Sequence, residues 1–264
     1  MTRDGAHHAI DITFNFELDA RGGDPDQTSP TLRRYHQLLW SKPLPDGSEF
    51  TLDATTRHSY LHHASALGEF FLSSDSIVHS YRGAYGNRVG ALMAQVPPGH
   101  AAQLHDQGST IGGYILFPGD VRDRKPTING ARGMNAKICD RIDLTLECIR
   151  RHYAGGDSPL AETLGRYQDF FALFGDFHHY VAFFLLEDLL ETNSDEIRWY
   201  LPFDDFKRSP LPLTLREYES YRQAALRFVR GPNRRIDEWA TANLSSPVPD
   251  RALPTPMGST RTQA

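Results

Sequence analysis

Apolar and polar residues alternate with a period of two along residues 9–18, where the apolar positions are Ile10, Ile12, Phe14 and Phe16. This period is typical of a half-buried β-strand, so a first strand is predicted here. Two further short apolar runs, 111–117 and 196–203, also predict strands. An arginine-rich loop after the first run favours a hairpin over 111–133.

A helical period governs residues 135–153, where apolar side chains recur at spacings of three and four: Ile138, Ile142, Leu146, Ile149 and Tyr153. Such a stripe predicts an amphipathic helix whose apolar face packs on the core. Ser29 followed by Pro30 predicts the start of an earlier helix over 30–40. Further helices are predicted over 159–174, 176–191, 212–231 and 234–239.

Two segments have weaker patterns. Residues 60–72 predict a helix that breaks at Gly68 and gives way to an extended segment, and 97–109 predict a surface loop. Glycines within 111–117 indicate that another backbone approaches this strand closely. The serines around Asp75 predict a cap or a turn.

These elements predict an α+β fold, in which a small, mostly antiparallel sheet packs against a layer of helices from 135–191. Strands and helices do not alternate regularly, which disfavours a doubly wound parallel sheet. We expect a single globular domain over 9–242. Ser, Pro and Thr dominate residues 243–264, which predicts a disordered tail.

Composition limits the class of protein. A chain of 264 residues with 39% hydrophobic residues can bury a substantial core. Its longest apolar run, 181–186, is too short to cross a bilayer, and the first residues lack the apolar stretch of a signal peptide. The two cysteines, Cys139 and Cys148, lie too far apart along the predicted helix for a disulfide. A cytoplasmic protein without a membrane partner is expected.

The net charge of −5 hides a basic stretch at 120–152, an acidic one at 156–205 and a second basic one at 206–239. Nucleic-acid surfaces usually carry a patch of one sign. A small anionic ligand in a local pocket fits the alternation better, although nucleic acid is not excluded as a partner.

The strongest candidate for such a pocket is the segment 127–133, which leads into the amphipathic helix. A helix amino terminus and a guanidinium can together hold a phosphate or a carboxylate. The spacing matches neither a Walker loop nor a dinucleotide fingerprint, so an ordinary turn with structural glycines is the alternative. The candidate ligand-binding residues are Lys125, Asn129, Gly130, Arg132, Gly133 and Arg141.

Carboxylates on the same helix supply candidate catalytic groups. Asp143 and Glu147 follow Asp140 at spacings that place all three along one helical face, where they could divide acid and base roles or bind a divalent metal. Ion pairing, for instance of Glu147 with Arg151, is the alternative. The histidines lack metal-ligand spacing, so no metal site is predicted and the cofactor stays open.

Several segments resemble a bacterial family of unknown function: LRRYHQLLWSKPLP, LGEFFLSSDS, TINGARG, DRIDLTLECIRRHY, RYQDFFALFGDF and PFDDF. Together they extend from about residue 14 to 240. The resemblance implies no activity, no catalytic residue and no particular fold.

Two functions follow as hypotheses. The first is an enzyme, a transferase or hydrolase, acting on a nucleotide or another phosphate-bearing small molecule. The second is a non-catalytic module that binds nucleic acid or protein through Arg33, Arg34, Arg122, Arg124 and Lys125. A concave pocket holding Arg132, Arg141 and a carboxylate would favour the enzyme, whereas pairing of those arginines inside the core would weaken it. The oligomeric state stays open.

Overall fold

A four-stranded antiparallel sheet forms the centre of the molecule. The computed structural model of the chain describes residues 9–55, 61–78, 81 and 86–244. The strands are β1 (Asp53–Ala54), β2 (Leu61–Ser65), β3 (Gly68–Ser76) and β4 (Tyr114–Pro118), and they lie side by side in that order. β2 and β3 form a hairpin, with Leu61 opposite Leu72, and β4 pairs with the second half of β3.

Helices surround this sheet, and the predicted α+β class is confirmed. They are α1 (Pro25–Thr28), α2 (Pro30–Trp40), α3 (Gly86–Met93), α4 (Pro98–Gly108), α5 (Ile128–Met134), α6 (Ile142–Tyr153), α7 (Ala161–Gly165), α8 (Gln168–Ala172), α9 (Phe177–Phe183) and α10 (Leu215–Leu244). Short 3₁₀ turns occupy Phe16–Leu18, Ile111–Gly113 and Glu187–Leu189.

The best-defined helical patterns are confirmed. Ser29 caps α2, since its hydroxyl accepts a hydrogen bond of 3.0 Å from the backbone N–H of Leu32, and Pro30 occupies the first helical position. α6 buries its apolar stripe, including Leu146 and Ile149. The helices predicted at 212–231 and 234–239 join into the single helix α10, which continues through Pro232.

The predicted first strand is wrong. Residues 9–18 form turns and a 3₁₀ turn, and no strand of the described sheet pairs with them. Ile10 and Phe16 are nevertheless buried, because the segment packs against α2: the backbone N–H of Asp11 donates to the hydroxyl of Tyr35 at 2.9 Å. The alternation therefore comes from turns that bury some of their side chains.

The predicted hairpin over 111–133 is also wrong. β4 returns along β3 instead, and the chain from 128 forms α5. Thr127 caps α5, accepting a hydrogen bond of 3.3 Å from the N–H of Gly130. The amphipathic helix begins at Ile142 rather than near 135. Cys139 and Asp140 adopt left-handed backbone conformations, which a right-handed helix does not contain, so the helix starts only after them.

Three further segments differ from prediction. Within 60–72, the residues from 61 onward form the β2–β3 hairpin, and residue 60 lies outside the described residues. Residues 97–109 contain α4 instead of a loop. The 196–203 segment contributes only an isolated bridge between Ile197 and Leu190. The predicted tail lies outside the described residues from 245 onward, and α10 extends to Leu244.

Buried apolar residues from most of these elements form one cluster, to which β1 and α1 contribute none. The predicted close backbone approach at the glycines is confirmed, because a Cβ at Gly112 would lie 2.5 Å from the carbonyl oxygen of Val229 in α10. Cys139 and Cys148 are buried, and no disulfide joins them. Within the described ranges, no helix is both long and apolar enough to cross a membrane.

Candidate acid–base site

An acidic cavity of about 260 Å³ opens where α1, the end of β3 and the end of α4 meet. Asp26 lines it from α1, Asp75 and Ser76 from β3, and His105 from α4. Tyr114, at the start of β4, closes one wall. Five carboxylate side chains face this space: Glu17, Asp24, Asp26, Asp75 and Asp140.

The short helix α1 positions Asp26. Asp24 caps this helix by accepting a hydrogen bond of 3.1 Å from the backbone N–H of Asp26, and Pro25 fixes the first helical residue. Asp26 then reaches the end of β3, where its Oδ2 accepts a hydrogen bond of 3.2 Å from the N–H of Ser76. Its Oδ1 is buried and makes no hydrogen bond of normal geometry with the described residues.

Asp75 is fixed from the opposite side by Arg132, whose side chain is completely buried. The Nη1 of Arg132 donates to Oδ2 of Asp75. Its Nε donates to the hydroxyl of Thr145 and its Nη2 to the carbonyl oxygen of Asp140, both at 2.9 Å. Arg132 is thus held in one orientation by three elements, and it presents Asp75 to the cavity.

Burial and mutual repulsion change the acidity of this pair. Burial raises the pKa of Asp26 to about 8, and the neighbouring charge of Asp75 adds to the effect. Burial also raises the pKa of Asp75 to about 7; the Arg132 guanidinium opposes this rise, and Asp140 adds to it. Two carboxyls in one poorly solvated space do not both ionise readily, so the pair keeps a proton near neutral pH.

A line of buried polar groups leads from the core to this pair. The indole N–H of Trp40 donates to Nδ1 of His36 at 2.9 Å, and Nε2 of His36 lies 3.0 Å from the hydroxyl oxygen of Ser74. Burial lowers the pKa of His36 to about 3, so the ring is neutral. Because Nδ1 accepts a hydrogen bond, Nε2 carries the proton and donates to Ser74. The Ser74 hydroxyl, in turn, moderates the rise in the pKa of Asp26.

The predicted catalytic carboxylates lie elsewhere. Asp143 is buried against Arg141, whose Nε donates to its Oδ1 at 3.0 Å, and its Oδ2 accepts from the N–H of Tyr200 at 2.9 Å. Glu147 is also buried, and it accepts hydrogen bonds from Arg150 and Arg151 at 2.7–2.8 Å. Neither residue lines the cavity, so the candidate site moves to Asp26 and Asp75.

The predicted ligand-binding residues are also separated from one another. Arg141 also donates to the carbonyl oxygen of Pro210 at 3.2 Å, so two residues hold its guanidinium inside the core. Lys125 pairs with Glu162 on the surface. Of the predicted ligand-binding residues, Arg132 and its neighbours in α5 lie close to the cavity. They contact other residues of the chain there and do not form an open pocket for an anion.

The α5 residues fix the wall of the site. The side-chain amide of Asn129 donates to the Ser73 hydroxyl at 3.1 Å, which attaches α5 to β3. At Gly133, a Cβ would come within 3.2 Å of both carboxylate oxygens of Asp140, so glycine lets that carboxylate approach the helix. Gly130 takes part in the Thr127 cap. These α5 residues lie near Arg132, and the partner of Arg132 is the carboxylate of Asp75.

Sequence analysis missed Asp26, Asp75 and His36. The two aspartates could have been found from their positions at the ends of elements: Asp24-Pro25-Asp26 at the start of a helix and Asp75 at the end of an apolar strand. No sequence pattern distinguished His36 from the neighbouring arginines of α2. Within the described ranges, no set of three or more His, Cys, Asp or Glu residues has the arrangement of a metal site.

Comparisons with known proteins give a family but no activity. A model of a family of unknown function (DUF6994) matches residues 10–236, which include every residue that lines the cavity. This match confirms the resemblance to a family of unknown function. No curated protein and no solved structure matches the chain.

Proposed function

The chain belongs to the DUF6994 family, whose function is unknown, and we propose that it is an enzyme, a hydrolase or transferase that uses Asp26 and Asp75 as acid and base. One observation carries this proposal: two carboxyls with raised pKa values face the same cavity, and a buried arginine holds one of them. Perturbed titrating groups in a concave site are a signature of catalytic acids and bases.

The contacts of the two carboxyls assign their roles. Asp26 has the higher pKa and is the protonated partner; its proton resides on Oδ1, because Oδ2 accepts from Ser76. Asp75 lies on the Arg132 guanidinium, which favours its ionised form. Asp26 therefore donates a proton to the leaving group, while Asp75 takes a proton from the attacking nucleophile.

The nucleophile decides the reaction class. If water attacks, the bond to the leaving group is hydrolysed; if the hydroxyl of an acceptor attacks, the group is transferred. In either case, one proton leaves Asp26 and one arrives on Asp75, so the starting state is restored when Asp75 releases its proton and Asp26 takes one up. The polar line through His36 and Ser74 keeps the Asp26 side of the cavity fixed during this exchange.

The lining charge limits the part of the substrate that enters. Five carboxylates oppose a bare phosphate inside the cavity, so the reacting group is neutral or cationic. A nucleotide or another phosphate-bearing small molecule remains the proposed substrate class, with its phosphate bound outside this cavity.

The non-catalytic alternative has less support. Of the five basic residues predicted to form this surface, Arg122 pairs with Asp120 and Asp169, and Lys125 pairs with Glu162, so two of the five charges are neutralised by acids of the same chain.

Site-specific titration tests the proposal without a known substrate. Carboxyl carbon NMR of the full chain, with Asp26→Asn and Asp75→Asn used for assignment, is expected to show at least one of the two groups titrating above about pH 6. If both titrate in the ordinary aspartate range, the acid–base assignment is wrong.

Activity provides the second test. In a screen of phosphorylated small molecules, turnover is expected to be highest between the two titrations of the pair and to fall by about 10²-fold or more in Asp26→Asn and in Asp75→Asn. Asp26→Asn removes the proton donor, whereas Asp75→Asn removes the acceptor. Asp106→Asn, an exposed aspartate on α4, is the matched control. Unchanged turnover in both site variants would contradict the proposal.

A further inference from the structure

A second hollow, next to α1, has the opposite character. It has a volume of about 630 Å³. Among the described residues, its charged lining consists of Arg21, Arg33 and Arg34, without an acidic residue. Gln27 and Gln37 supply polar groups. We call the hollow around these three arginines the arginine groove.

The arginines of the groove differ from the paired arginines described above. Arg122, Arg132 and Arg141 each lie against an aspartate. In the described part of the chain, by contrast, none of the three groove arginines forms an ion pair; Arg33 donates one hydrogen bond of 3.3 Å, to the carbonyl oxygen of Gln27. Arg21 and Arg34 are exposed and Arg33 is half-buried, so their remaining donors can reach a ligand.

The local backbone brings these residues together. Arg21 and Gly22 both adopt left-handed conformations, with φ of 53° and 76°, which turns the chain back before α1. At Gly23, a Cβ would lie 2.8 Å from Cγ2 of Thr28, so the absence of a side chain allows the turn to pack on α1. Arg21 thereby faces Arg33 and Arg34 at the start of α2.

Three guanidinium groups around one hollow repel one another unless an anion lies between them. Guanidinium groups bind phosphate through paired hydrogen bonds, and the volume lies within the range of small-molecule sites. We propose that the arginine groove binds the phosphate group of a phosphorylated small molecule.

The lining favours a small phosphorylated ligand over nucleic acid. Grooves that hold single-stranded nucleic acid combine positive charge with aromatic side chains on which bases stack. Among the described residues, none of those that line the arginine groove has an aromatic side chain. The groove is therefore suited to recognising phosphate itself.

The groove and the acidic cavity share α1 as a wall. Asp24, Pro25 and Asp26 line the cavity, whereas Gln27 and Thr28 line the groove. Phosphate binding in the groove does not depend on the proposed acid–base chemistry, and the two proposals fail independently of each other.

Calorimetric titration of the full chain with inorganic phosphate and with pyrophosphate tests this site. The wild type is expected to bind pyrophosphate saturably, and Arg33→Gln/Arg34→Gln is expected to weaken binding by at least about tenfold. Arg124→Gln/Arg216→Gln removes the same charge from two exposed arginines that do not line the groove, and it should leave the affinity within about twofold. Asp26→Asn should also retain binding, which separates this test from that of the acid–base site.

Three results would overturn the proposal. They are the absence of saturable binding of phosphate and pyrophosphate to the wild type, an equal loss in the control double variant, and tighter binding of a single-stranded oligonucleotide that the groove substitutions abolish. The last result would assign the groove to nucleic acid. Circular dichroism and thermal unfolding of each variant establish that the substitutions leave the fold intact.

Discussion

At the scale of single residues, the molecule uses arginine in two different ways. Arg132 and Arg141 are buried on carboxylates, where they fix the positions of Asp75 and Asp143. Arg21, Arg33 and Arg34 surround an open groove without such partners among the described residues. The sequence favoured Arg132 and Arg141 as ligand-binding residues. Whether an arginine is buried and paired depends on which aspartate the fold brings opposite its guanidinium, and the sequence does not show this.

The titration of Asp26 predicts a pH-dependent stability. Burial raises its pKa from 3.8 to about 8, so the folded state holds a proton that the unfolded chain releases between these values. The stabilising contribution is therefore complete below about pH 4 and is lost as the pH rises toward 8. Between about pH 5 and pH 9, Asp26→Asn is expected to lose less free energy of unfolding than the wild type, by about 4 kcal/mol.

Urea unfolding at several pH values measures this difference. Asp106→Asn, which removes an exposed carboxylate from α4, should follow the wild-type pH profile. Parallel profiles for the wild type and Asp26→Asn would show that Asp26 ionises in the fold as readily as in the unfolded chain.

At the scale of elements, the clearest local signals predicted their helices correctly, whereas the pairing of the strands was not predicted. The Ser29 cap and the stripe of α6 are contained within a few neighbouring residues, and both helices were found. Pairing of β3 with β4 joins residues about forty positions apart, and no local pattern encodes that choice. The 9–18 segment shows the opposite error, in which buried turn residues imitate the period of a strand.

The contact between the 3₁₀ turn at Ile111–Gly113 and α10 depends on the absence of a side chain at Gly112. The N–H of Gly112 donates to the side chain of Asn233 at 2.7 Å, and a Cβ at Gly112 would lie 2.5 Å from the carbonyl oxygen of Val229. Gly112→Ala must push this turn away from α10, and the expected cost is about 2–3 kcal/mol of unfolding free energy.

Gly165→Ala is the matched control, because a Cβ there, at the end of α7, meets no atom within 4 Å. Alanine is expected to be neutral or to stabilise by up to about 1 kcal/mol at that position. Chemical denaturation of both variants gives the comparison, and equal stability of the two would contradict the close approach at Gly112.

At the scale of the whole molecule, buried polar pairs connect segments that are distant in sequence. Arg141 and Asp143 lie at the start of α6, yet their side chains form hydrogen bonds with backbone groups far along the chain. Arg141 donates to the carbonyl oxygen of Pro210, and Asp143 accepts from the N–H of Tyr200. The candidate site has the same character, since its carboxylates come from α1, β3 and the turn after α5. A sequence can supply such residues as candidates, but it cannot show which of them meet. This is why the acidic helix face was proposed first and the cavity was missed.

The Arg141–Asp143 pair predicts a large effect of a small change. Asp143→Asn keeps the shape of the side chain but leaves the Arg141 charge buried without its counter-ion, so a loss of about 3–5 kcal/mol of unfolding free energy is expected. Glu162→Gln, which breaks the exposed pair with Lys125, should cost less than about 1 kcal/mol. Urea unfolding compares the two variants, and similar losses would show that burial does not distinguish these pairs.

The hydrogen bond between Trp40 and His36 gives the protein a built-in reporter of its interior. The chain has three tryptophans; Trp40 is buried, whereas Trp199 and Trp239 are only partly buried. Its indole proton, which is hydrogen-bonded to His36, is shielded from solvent exchange. The His36 ring lies between this proton and the Ser74 hydroxyl, which interacts with the Asp26 carboxyl. A single indole resonance, without any attached label, can therefore follow events inside the cavity.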